Sequence, residues 1–484
     1  MTQEDNDLIR SRKHKLAQLR SLGIDPYGQR VTGLQSIASV LQPFQEGTQV
    51  HVAGRLMAVR EMGKAAFLDL RDSSTRIQLY IKKKELPENI QAICDQIDIG
   101  DIVAIRGKTF TTKTQEPSIH VESLEFLSKA VRPLPEKWHG LKDTETRYRQ
   151  RYADLISSPE VRDIFKKRSH IVSAIRRHLD DQGYLEVETP MMHPIPGGAA
   201  GKPFKTHHEA LDMSLFMRVA PELYLKKLLV GGFEKVYELN KCFRNEGIST
   251  RHNPEFTMLE VYTSYADVED VMNLTEKIIQ SAAQAALGTL QIEWQGQQLD
   301  LSHFDRVSFA DLMRESFGID PADELDVWAK KLKAKGVKID EKDISRTKLI
   351  KIIGELIEPA RRKHPVFVTD YFTELCPLAK KNPKEPLLSL RFELFVGEME
   401  LANGYSELND PEEQLARFQE DLKAGDKEHH QGMIDEDFVR ALEFGMPPAG
   451  GLGIGIDRLT MILTNQASIR EVVLFPQLKP EAHS

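Results

Sequence analysis

The sequence contains few cysteines and no hydrophobic run long enough to cross a membrane. Its three cysteines, Cys94, Cys242 and Cys376, are too far apart for a zinc-binding spacing or a disulfide framework. No apolar run approaches the ~18 residues of a transmembrane helix, and the acidic, polar N-terminus is unlike a signal peptide. We therefore expect a cytoplasmic protein that does not enter a membrane.

The common nucleotide-binding motifs are also missing. The sequence has no G-x-x-x-x-G-K-[ST] run and none of the protein-kinase motifs. Its glycine-rich run at 450–458 lacks the third glycine and the acidic residue of a dinucleotide-binding fingerprint. The net charge of −8 argues against a general nucleic-acid coat, although a local basic patch is compatible with RNA binding.

The composition is that of an ordinary globular protein, and 484 residues suffice for two or three domains. Residues 5–22 predict a basic amphipathic helix, which is either a solvated face or an RNA-contacting arm. Five short strands between residues 48 and 127 predict a small Greek-key barrel of the OB-fold type. The predicted domains are a helical extension at 1–46, the barrel at 47–130, a linker at 131–156, and a domain at 157–484 with a helical insertion at about 300–365.

One face of the predicted barrel carries an exposed aromatic side chain. Alternation along the second strand points Leu68 and Leu70 inward and Phe67 outward, and Gln78 points outward from the third strand. An aromatic ring beside polar and basic groups suits stacking of single-stranded bases, worth ~1–3 kcal/mol per base. The alternative is a solitary surface phenylalanine, which is common.

A long antiparallel hairpin is predicted around residues 243–260, with strands at 234–242 and 255–262. Its second strand alternates, which places four side chains on one face: Phe256, Met258, Glu260 and Tyr262. Arg244 stands at the end of the first strand, before a polar loop that contains His252. This arrangement suits an anionic ligand such as phosphate.

Two carboxylates mark a second hairpin, at residues 390–407. A tight turn pairs Phe395 with Glu400 and leaves Glu393 on the same face. Two carboxylates on one face suit Mg²⁺, which takes oxygen ligands and bridges to substrate phosphates; the alternative is a pair of solvated acids. Three further polar residues fall on the opposite face unless residues 402–404 form a bulge: Asn403, Tyr405 and Glu407.

The remaining polar residues complete the pattern of a nucleoside triphosphate site. The run at 450–458 places glycines before an apolar helix whose N-terminus suits an anion, and Arg458 supplies a second arginine. The glycine-rich loop at 195–205 either lets backbone approach a ligand closely or is simply mobile. Three further carboxylates exceed the needs of a metal ion and suit a cationic substrate: Glu222, Glu260 and Glu407.

Three segments resemble, in order, the three motifs of class II aminoacyl-tRNA synthetases: 183–190 (GYLEVETP), 243–260 and 450–458. Further runs resemble the lysyl-tRNA synthetases of bacteria rather than the aspartyl and asparaginyl relatives: IPGGAAGKPF at 195–204, APELYLK at 220–226, FRNEG at 243–247 and NGYSELND at 403–410. The resemblance covers nearly the whole chain.

The resemblance implies an α+β protein, with a five-stranded OB-fold barrel that binds the anticodon and a class II catalytic domain in which helices flank an antiparallel sheet. It implies an ATP-dependent lysine–tRNA ligase, which forms lysyl-adenylate and pyrophosphate and then esterifies the 3′-terminal ribose of lysine tRNA. L-Lysine, ATP and lysine tRNA are the implied substrates, Mg²⁺ is the implied cofactor, and motif 1 builds a homodimer interface.

Residues that match the family motifs carry the roles implied by the resemblance. The implied ATP contacts are Arg244, Glu246, His252, Asn253, Phe256 and Arg458. The implied lysine contacts are Gly198, Glu222, Arg244, Glu260, Tyr262, Asn403, Tyr405 and Glu407. The implied catalytic residues are Arg244 and Arg458, the Mg²⁺ ligands Glu393 and Glu400, and the anticodon readers Phe67, Gln78 and Glu116. Tyr405 stands where the family often has phenylalanine, and TKTQEPSI at 112–119 where relatives usually have TKTGELSI.

Two other functions are compatible with parts of the sequence. A lysine-adenylating relative that modifies a protein is one, but such relatives lack the OB-fold predicted at 48–127. An RNA-binding or regulatory protein with an inactive synthetase domain is the other. The intact set of arginines and carboxylates at the predicted site argues against it: Arg244, Glu393, Glu400 and Arg458.

Overall fold

The computed structural model describes residues 3–63, 65–134, 143–340, 344–359, 362–423 and 433–480. The chain divides into two compact units, Met1–Lys142 and Asp143–Ser484. None of the helices in the described ranges combines the length and the apolar character that crossing a membrane requires.

The first unit is a closed five-stranded barrel, which confirms the predicted OB-fold. Its helices are α1 (Gln3–Ser21), α2 (Ile37–Leu41) and α3 (Glu88–Cys94), with a 3₁₀ turn at Lys83–Glu85. Its strands are β1 (Gln49–Met62), β2 (Ala65–Arg71), β3 (Arg76–Ile81), β4 (Ile102–Thr111) and β5 (Pro117–Ser128), joined in the order β1–β2–β3–β5–β4. Leu68, Leu70 and Leu79 fill the interior because alternate residues of each strand point inward.

The basic helix α1 uses part of its charge to pack against the barrel. Leu19 is fully buried in the barrel core. Arg12 is also buried and donates to the backbone carbonyls of Ala130 and Arg132, at 3.2 and 3.0 Å. At least this arginine is therefore structural and is not free to contact RNA.

The second unit begins with helices that lie inside the range predicted as a linker, so that prediction is wrong from residue 144 onward. These are α4 (Thr144–Arg149) and α5 (Arg151–Ser157). The side chain of Arg151 is fully buried and donates to the backbone carbonyls of Leu474 and Arg470, at 3.1 and 2.7 Å, which holds the segment in the second unit. A basic stretch with prolines before it reads as a linker in sequence, but these buried hydrogen bonds make it part of the fold.

The other helices of the second unit are α6 (Pro159–Asp180), α7 (Glu222–Val230), α8 (Val268–Leu287), α9 (Phe309–Phe317), α10 (Leu325–Ala334), α11 (Arg346–Leu356), α12 (Pro411–Lys423), α13 (Glu436–Glu443), α14 (Ile456–Leu463) and α15 (Ile469–Val472), with 3₁₀ turns at Glu209–Leu211 and Thr373–Leu375. Its strands are β6 (Leu185–Glu186), β7 (Met192–His193), β8 (Lys205–His208), β9 (Met213–Met217), β10 (Lys235–Phe243), β11 (Glu255–Ser264), β12 (Gln291–Trp294), β13 (Gln297–Asp300), β14 (Asp305–Ser308), β15 (Val366–Thr369), β16 (Arg391–Val396), β17 (Met399–Ser406) and β18 (Ala449–Gly455).

An eight-stranded sheet forms the centre of this unit, in the order β14–β15–β16–β17–β18–β11–β10–β6. Its pairs are antiparallel except β14–β15 and β10–β6 at the two ends. The apolar stripes of α6 and α8 cover one face, where Ile175 and Ile278 pack with Leu259 of β11. Helices α9 to α11 occupy the predicted helical insertion, but β14 within that range is an edge strand of the main sheet, so the insertion is not purely helical.

The central hairpin of β10 and β11 is antiparallel, as predicted, and its register pairs Cys242 with Phe256 and Val236 with Tyr262. Leu259 and Val261 enter the core on the helix-covered face. Strand β11 lies between β10 and β18. The opposite face of β11 is therefore free to line a site.

A bulge in β17 decides which of its side chains face that site. Leu394 pairs with Ala402, but the next residue, Phe395, pairs with Glu400, so Leu401 is the extra residue. The bulge lies one residue before the range 402–404 in which the sequence allowed it. It restores the parity, so that Glu400 shares a face with Asn403 and Tyr405.

Candidate active site

Two adjoining cavities open on the face of the sheet that the helices α6 and α8 leave uncovered. The large cavity has a volume of about 420 Å³, and the small cavity one of about 140 Å³. Four residues line both: Arg244, Met258, Asn403 and Gly453. A ligand in one cavity therefore meets a ligand in the other beside the Arg244 guanidinium.

The predicted site residues separate between the two cavities. The small cavity is lined by every predicted ATP contact, together with one predicted metal ligand: Arg244, Glu246, His252, Asn253, Phe256, Arg458 and Glu400. The large cavity is lined by the predicted lysine contacts except one, together with the other metal ligand: Gly198, Glu222, Arg244, Glu260, Tyr262, Asn403, Tyr405 and Glu393.

Arg244 is held between the cavities with unused hydrogen-bonding capacity. Its guanidinium lies 5.2 Å from the centre of the Phe256 ring, and its Nε is buried without a hydrogen-bond partner in the described structure. Gly201, with a φ of 156°, packs so closely that a Cβ there would lie 3.0 Å from the Arg244 side chain. The glycine-rich loop thus leaves space for the Arg244 side chain, which can donate hydrogen bonds to an anionic ligand.

The second arginine is positioned at the first turn of α14. Arg458 Nη1 donates to the Glu400 carbonyl at 2.7 Å, and Nη2 lies 3.2 Å from His252 Nε2. Burial and the nearby Arg458 charge lower the pKa of His252. A neutral imidazole beside a guanidinium at a helix start is a suitable place for phosphate oxygens.

The first turn of α14 is fixed by an ion pair that the sequence did not reveal. Asp457 accepts from the backbone N–H of Thr257 at 2.7 Å and forms an ion pair with Arg168, whose Nη1 lies 2.7 Å from Asp457 Oδ1. Arg168 lies on α6 and also donates to the Val472 carbonyl. Helix α6 therefore helps to place Arg458, the next residue along the chain. The spacing of 289 residues between the partners left no local signal.

Carboxylates dominate the large cavity. Glu260 accepts from the Tyr262 hydroxyl at 3.0 Å, and burial together with the charge of Glu222 raises the pKa of Glu260 to about 8. Glu222 Oε1 accepts from the Tyr405 hydroxyl at 2.5 Å and from Lys226 Nζ at 2.7 Å. This end of the cavity suits a ligand that brings positive charge.

Glu407 is the predicted lysine contact that does not line the cavity. Its carboxylate is fully buried, with Oε2 2.5 Å from Lys226 Nζ, and its other oxygen lies against Gly451. Burial raises the pKa of Glu407 to about 8, although Lys226 opposes the shift. Lys226 was not among the predicted residues, but a lysine four residues after Glu222 on an apolar helix was the available signal.

The predicted metal ligands have different environments. Glu393 accepts from Arg391 at 2.5 Å and from the Tyr371 hydroxyl at 2.7 Å, while Glu400 accepts from Arg458 at 3.3 Å. Burial and then repulsion from Glu400 raise the pKa of Glu393, against the effect of Arg391. Within the described ranges, no group of three or more histidine, cysteine, aspartate or glutamate side chains could hold a metal ion.

The barrel unit places two predicted anticodon readers on neighbouring strands and the third just before β5. Asp69, two residues beyond Phe67 on β2, pairs with Gln78 of β3, and Gln78 pairs with Ser118 of β5, two residues after Glu116. Phe67 is half-buried rather than fully exposed as predicted, because its ring packs 5.0 Å from that of Tyr80.

The loop before β5 keeps its turn despite its departure from the family pattern. Gln115, where relatives usually have glycine, adopts a left-handed φ of 64°. Pro117 is the first residue of β5, a position where proline is tolerated. The Gln78 side chain is buried and accepts from the Ser118 hydroxyl at 3.1 Å.

Comparison with known proteins identifies the family of the chain. Residues 143–479 match the family described as tRNA synthetases class II (D, K and N), and residues 50–127 match the OB-fold nucleic acid binding domain. The lysine–tRNA ligase of Pelotomaculum thermopropionicum is 51% identical, over 98% of this chain and 95% of the relative. Those of Carboxydothermus hydrogenoformans and Bacillus subtilis are 51% and 48% identical, over 99% of this chain and 99% and 98% of the relatives. The chain therefore belongs to the lysine–tRNA ligase family of the class II tRNA synthetases.

Proposed function

We propose that this chain joins L-lysine to lysine tRNA in two steps that consume ATP. The observation that carries the proposal is the meeting of the two cavities at Arg244. A cation-binding cavity on one side and an arginine- and histidine-lined cavity on the other bring an amino acid carboxylate and an ATP α-phosphate to the same guanidinium.

The large cavity holds lysine in this proposal. Glu222, Glu260 and Tyr262 receive its ammonium groups. The backbone at Gly198, whose φ of 91° suits glycine, approaches the amino acid closely because glycine has no side chain. Asn403 and Arg244 hold the carboxylate end. The stem of the amino acid lies along the Tyr405 ring. Glu407 lies behind the cavity wall, where it pairs with Lys226.

The small cavity holds ATP. Phe256 stacks on the adenine, whose edge contacts Glu246 and Asn253, while His252 and Arg458 reach the outer phosphates. The buried, unpartnered Oδ1 of Asn253 and Nε of Arg244 are free for such contacts. An unpaired buried polar atom costs ~1–3 kcal/mol, so ligand binding that satisfies these atoms is favoured.

The chemistry needs no nucleophilic side chain. A lysine carboxylate oxygen attacks the α-phosphorus in line, and the bond from that phosphorus to the bridging oxygen breaks, which releases pyrophosphate. Arg244 and Arg458 stabilise the charge that spreads over the phosphate oxygens, and the two cavities supply orientation. The 3′-terminal ribose hydroxyl of the tRNA then attacks the adenylate carbonyl and displaces AMP.

Glu393 and Glu400 would hold a Mg²⁺ ion. Their mutual repulsion, which contributes to the raised pKa of Glu393, would be relieved by a bound cation. Two protein carboxylates are sufficient, since Mg²⁺ usually takes its other ligands from phosphate and water. The ion would supply positive charge to the phosphates of ATP.

The barrel unit reads the anticodon in this proposal. Phe67 stacks on a base, while Gln78 and Glu116 hydrogen-bond to base edges. A homodimer through the motif 1 region completes the assembly: β6 is an edge strand of the sheet, and its Leu185 is exposed, so a partner can cover both. The three free thiols suit the reducing cytoplasm.

Charging of lysine tRNA is the test of the complete function. We expect lysine-dependent ATP–pyrophosphate exchange together with transfer of labelled lysine to lysine tRNA. Exchange without transfer would favour a relative that modifies a protein instead. Absence of exchange with any amino acid would favour a regulatory protein with an inactive catalytic domain.

A further inference from the structure

Ser249 lies in the polar loop between β10 and β11 and closes a turn on His252. Its backbone N–H donates to the His252 carbonyl at 3.1 Å. Its Oγ accepts from the backbone N–H groups of Arg251 and His252, at 3.1 and 3.0 Å. The same Oγ lies 3.0 Å from His252 Nδ1. Ser249 is absent from the linings of both cavities, so its connection to the small cavity is indirect.

The bonding capacity of this hydroxyl decides which ring nitrogen of His252 carries a hydrogen. A hydroxyl has two lone pairs and one hydrogen. The two backbone N–H groups occupy the lone pairs of Ser249 Oγ, so its hydrogen remains for His252 Nδ1. A neutral imidazole accepts at one nitrogen and donates at the other. Nδ1 therefore accepts, and the ring hydrogen lies on Nε2.

The Nε2–H group of His252 stands beside a second donor in the small cavity. Nε2 lies 3.2 Å from Nη2 of Arg458, and a guanidinium has no acceptor. Both residues line the small cavity, so two N–H groups are directed into it without an acceptor between them. Burial and the Arg458 charge lower the pKa of His252, which keeps the ring neutral. An anionic oxygen that accepts from both nitrogens satisfies this pair.

We propose that Ser249 is a positioning residue for ATP, because its hydroxyl holds His252 in the tautomer that carries its hydrogen on Nε2. His252 and Arg458 then both donate to the outer phosphates. The opposite tautomer would turn a lone pair toward those phosphates and let Arg458 bond to the ring instead. This inference rests on the proposed function, because it takes ATP as the ligand of the small cavity.

Exchange kinetics of the full chain with Ser249→Ala test this role. We expect the KM for ATP and the KM for pyrophosphate to rise about threefold or more, because the hydrogen bond that fixes a phosphate donor is lost. The KM for lysine should not change. Ser249→Thr keeps the hydroxyl and should restore most of the ATP affinity. An unchanged KM for ATP in Ser249→Ala would contradict the proposal.

Thr250→Ala is the matched control in the same loop. Thr250 is exposed and is absent from the linings of both cavities. We expect this variant to keep the wild-type KM values for ATP, pyrophosphate and lysine. A rise in the KM for ATP equal to that of Ser249→Ala would mean that any change in the loop weakens ATP binding, and the specific role of Ser249 would be wrong.

A double variant separates the tautomer of His252 from the shape of the loop. Ser249→Ala also removes the acceptor of two backbone N–H groups, which by itself loosens the turn. His252→Gln places an amide nitrogen near the position of Nε2, and that amide donates without a choice of tautomer. In the His252→Gln background, we expect Ser249→Ala to leave the KM for ATP nearly unchanged. An equal fold-change in both backgrounds would show that Ser249 only shapes the loop, and the proposal would be wrong.

NMR of the histidine ring nitrogens measures the tautomer directly and needs no enzymatic activity. The full chain is labelled with ¹⁵N-histidine, and the His252 signals are assigned by their loss in His252→Gln. We expect a bare Nδ1 and a protonated Nε2 in the wild type, and a smaller population of this tautomer in Ser249→Ala. A hydrogen on Nδ1 in the wild type would overturn the role of Ser249. Wild-type protein without lysine-dependent exchange would overturn the proposed function instead, whichever tautomer is found.

Discussion

At the scale of single residues, Arg244 is the group on which both proposed substrates converge. Arg244→Ala should lower the rate of lysine-dependent exchange by ~10²–10³-fold or more, because charge on the reacting phosphate loses its preorganised donor. Binding of lysine tRNA should persist, since the proposed anticodon readers lie in the other unit. The exchange rate of Arg244→Lys should lie between those of the wild type and Arg244→Ala, because lysine keeps the charge but loses the planar fork of the guanidinium. Near-normal exchange by Arg244→Ala would contradict the claim that both substrates converge on Arg244.

One carboxylate of the large cavity predicts how lysine binding depends on pH. Burial raises the pKa of Glu260 to about 8, so this side chain is protonated in most of the free protein at neutral pH. Cationic lysine binds the ionised form. The KM for lysine should therefore fall as pH rises from ~6.5 to ~8.5, while the KM for ATP serves as the internal control. A KM for lysine that stays flat across this range would contradict the assignment.

Sequence spacing was sufficient for residues whose role depends on local pattern, but not for those whose role depends on a distant partner. Arg244 and Arg458 follow from a strand end and a helix start. The roles of Lys226 and Asp457 depend on partners that are distant in sequence. Lys226 pairs with Glu407, and Asp457 pairs with Arg168. Charge pairing inside a core leaves no periodic trace in the sequence.

At the scale of elements, β18 shows how closely backbone and site are packed. A Cβ on Gly451 would lie 1.9 Å from Glu407 Oε1 and 2.7 Å from the Tyr262 ring. Gly451→Ala should therefore raise the KM for lysine about tenfold or more and lower the free energy of unfolding by ~1–3 kcal/mol. The measurements are exchange kinetics and urea denaturation.

Gly455→Ala, on the same strand, is the control for that change. The nearest atom to its Cβ would be 3.7 Å away, on Arg458. We expect it to keep the wild-type KM for lysine. Equal effects of the two substitutions on the KM for lysine would mean that strand flexibility, rather than the contact with Glu407, decides the outcome.

Alternation of period two predicted the barrel strands and the β10–β11 hairpin, because buried and exposed faces of a strand impose it. The bulge at Leu401 was not predictable to the residue. Its position depends on the register of β17 against β16 and β18 together, which no single strand records. Without it, Asn403 and Tyr405 would face the helices instead of the large cavity.

At the scale of the whole molecule, the proposed function assigns anticodon recognition to one unit and chemistry to the other. Phe67→Ala should weaken the binding of lysine tRNA in the charging reaction by ~1–3 kcal/mol, the value of one stacked base. Exchange without tRNA should be unchanged. Loss of exchange in this variant, or unaltered tRNA charging, would contradict the division.

The division into units was predictable in outline, since barrel and catalytic motifs occupy separate parts of the sequence. The predicted linker was wrong from residue 144 because Arg151 is buried and donates to the backbone carbonyls of Leu474 and Arg470, in a stretch that looks polar. The prediction of a helical insertion was wrong at β14, a four-residue strand that is defined by its parallel pairing with β15. A short edge strand can be recognised only from its pairing with a neighbouring strand.

One assay decides whether this chain is a lysine-activating enzyme: ATP–pyrophosphate exchange by the wild-type protein with each of the twenty amino acids in turn. The two cavities that meet at Arg244, one rich in carboxylates and one lined by arginine and histidine, predict exchange with lysine and little with any other amino acid. Exchange with a different amino acid, or with none, would contradict the proposed function.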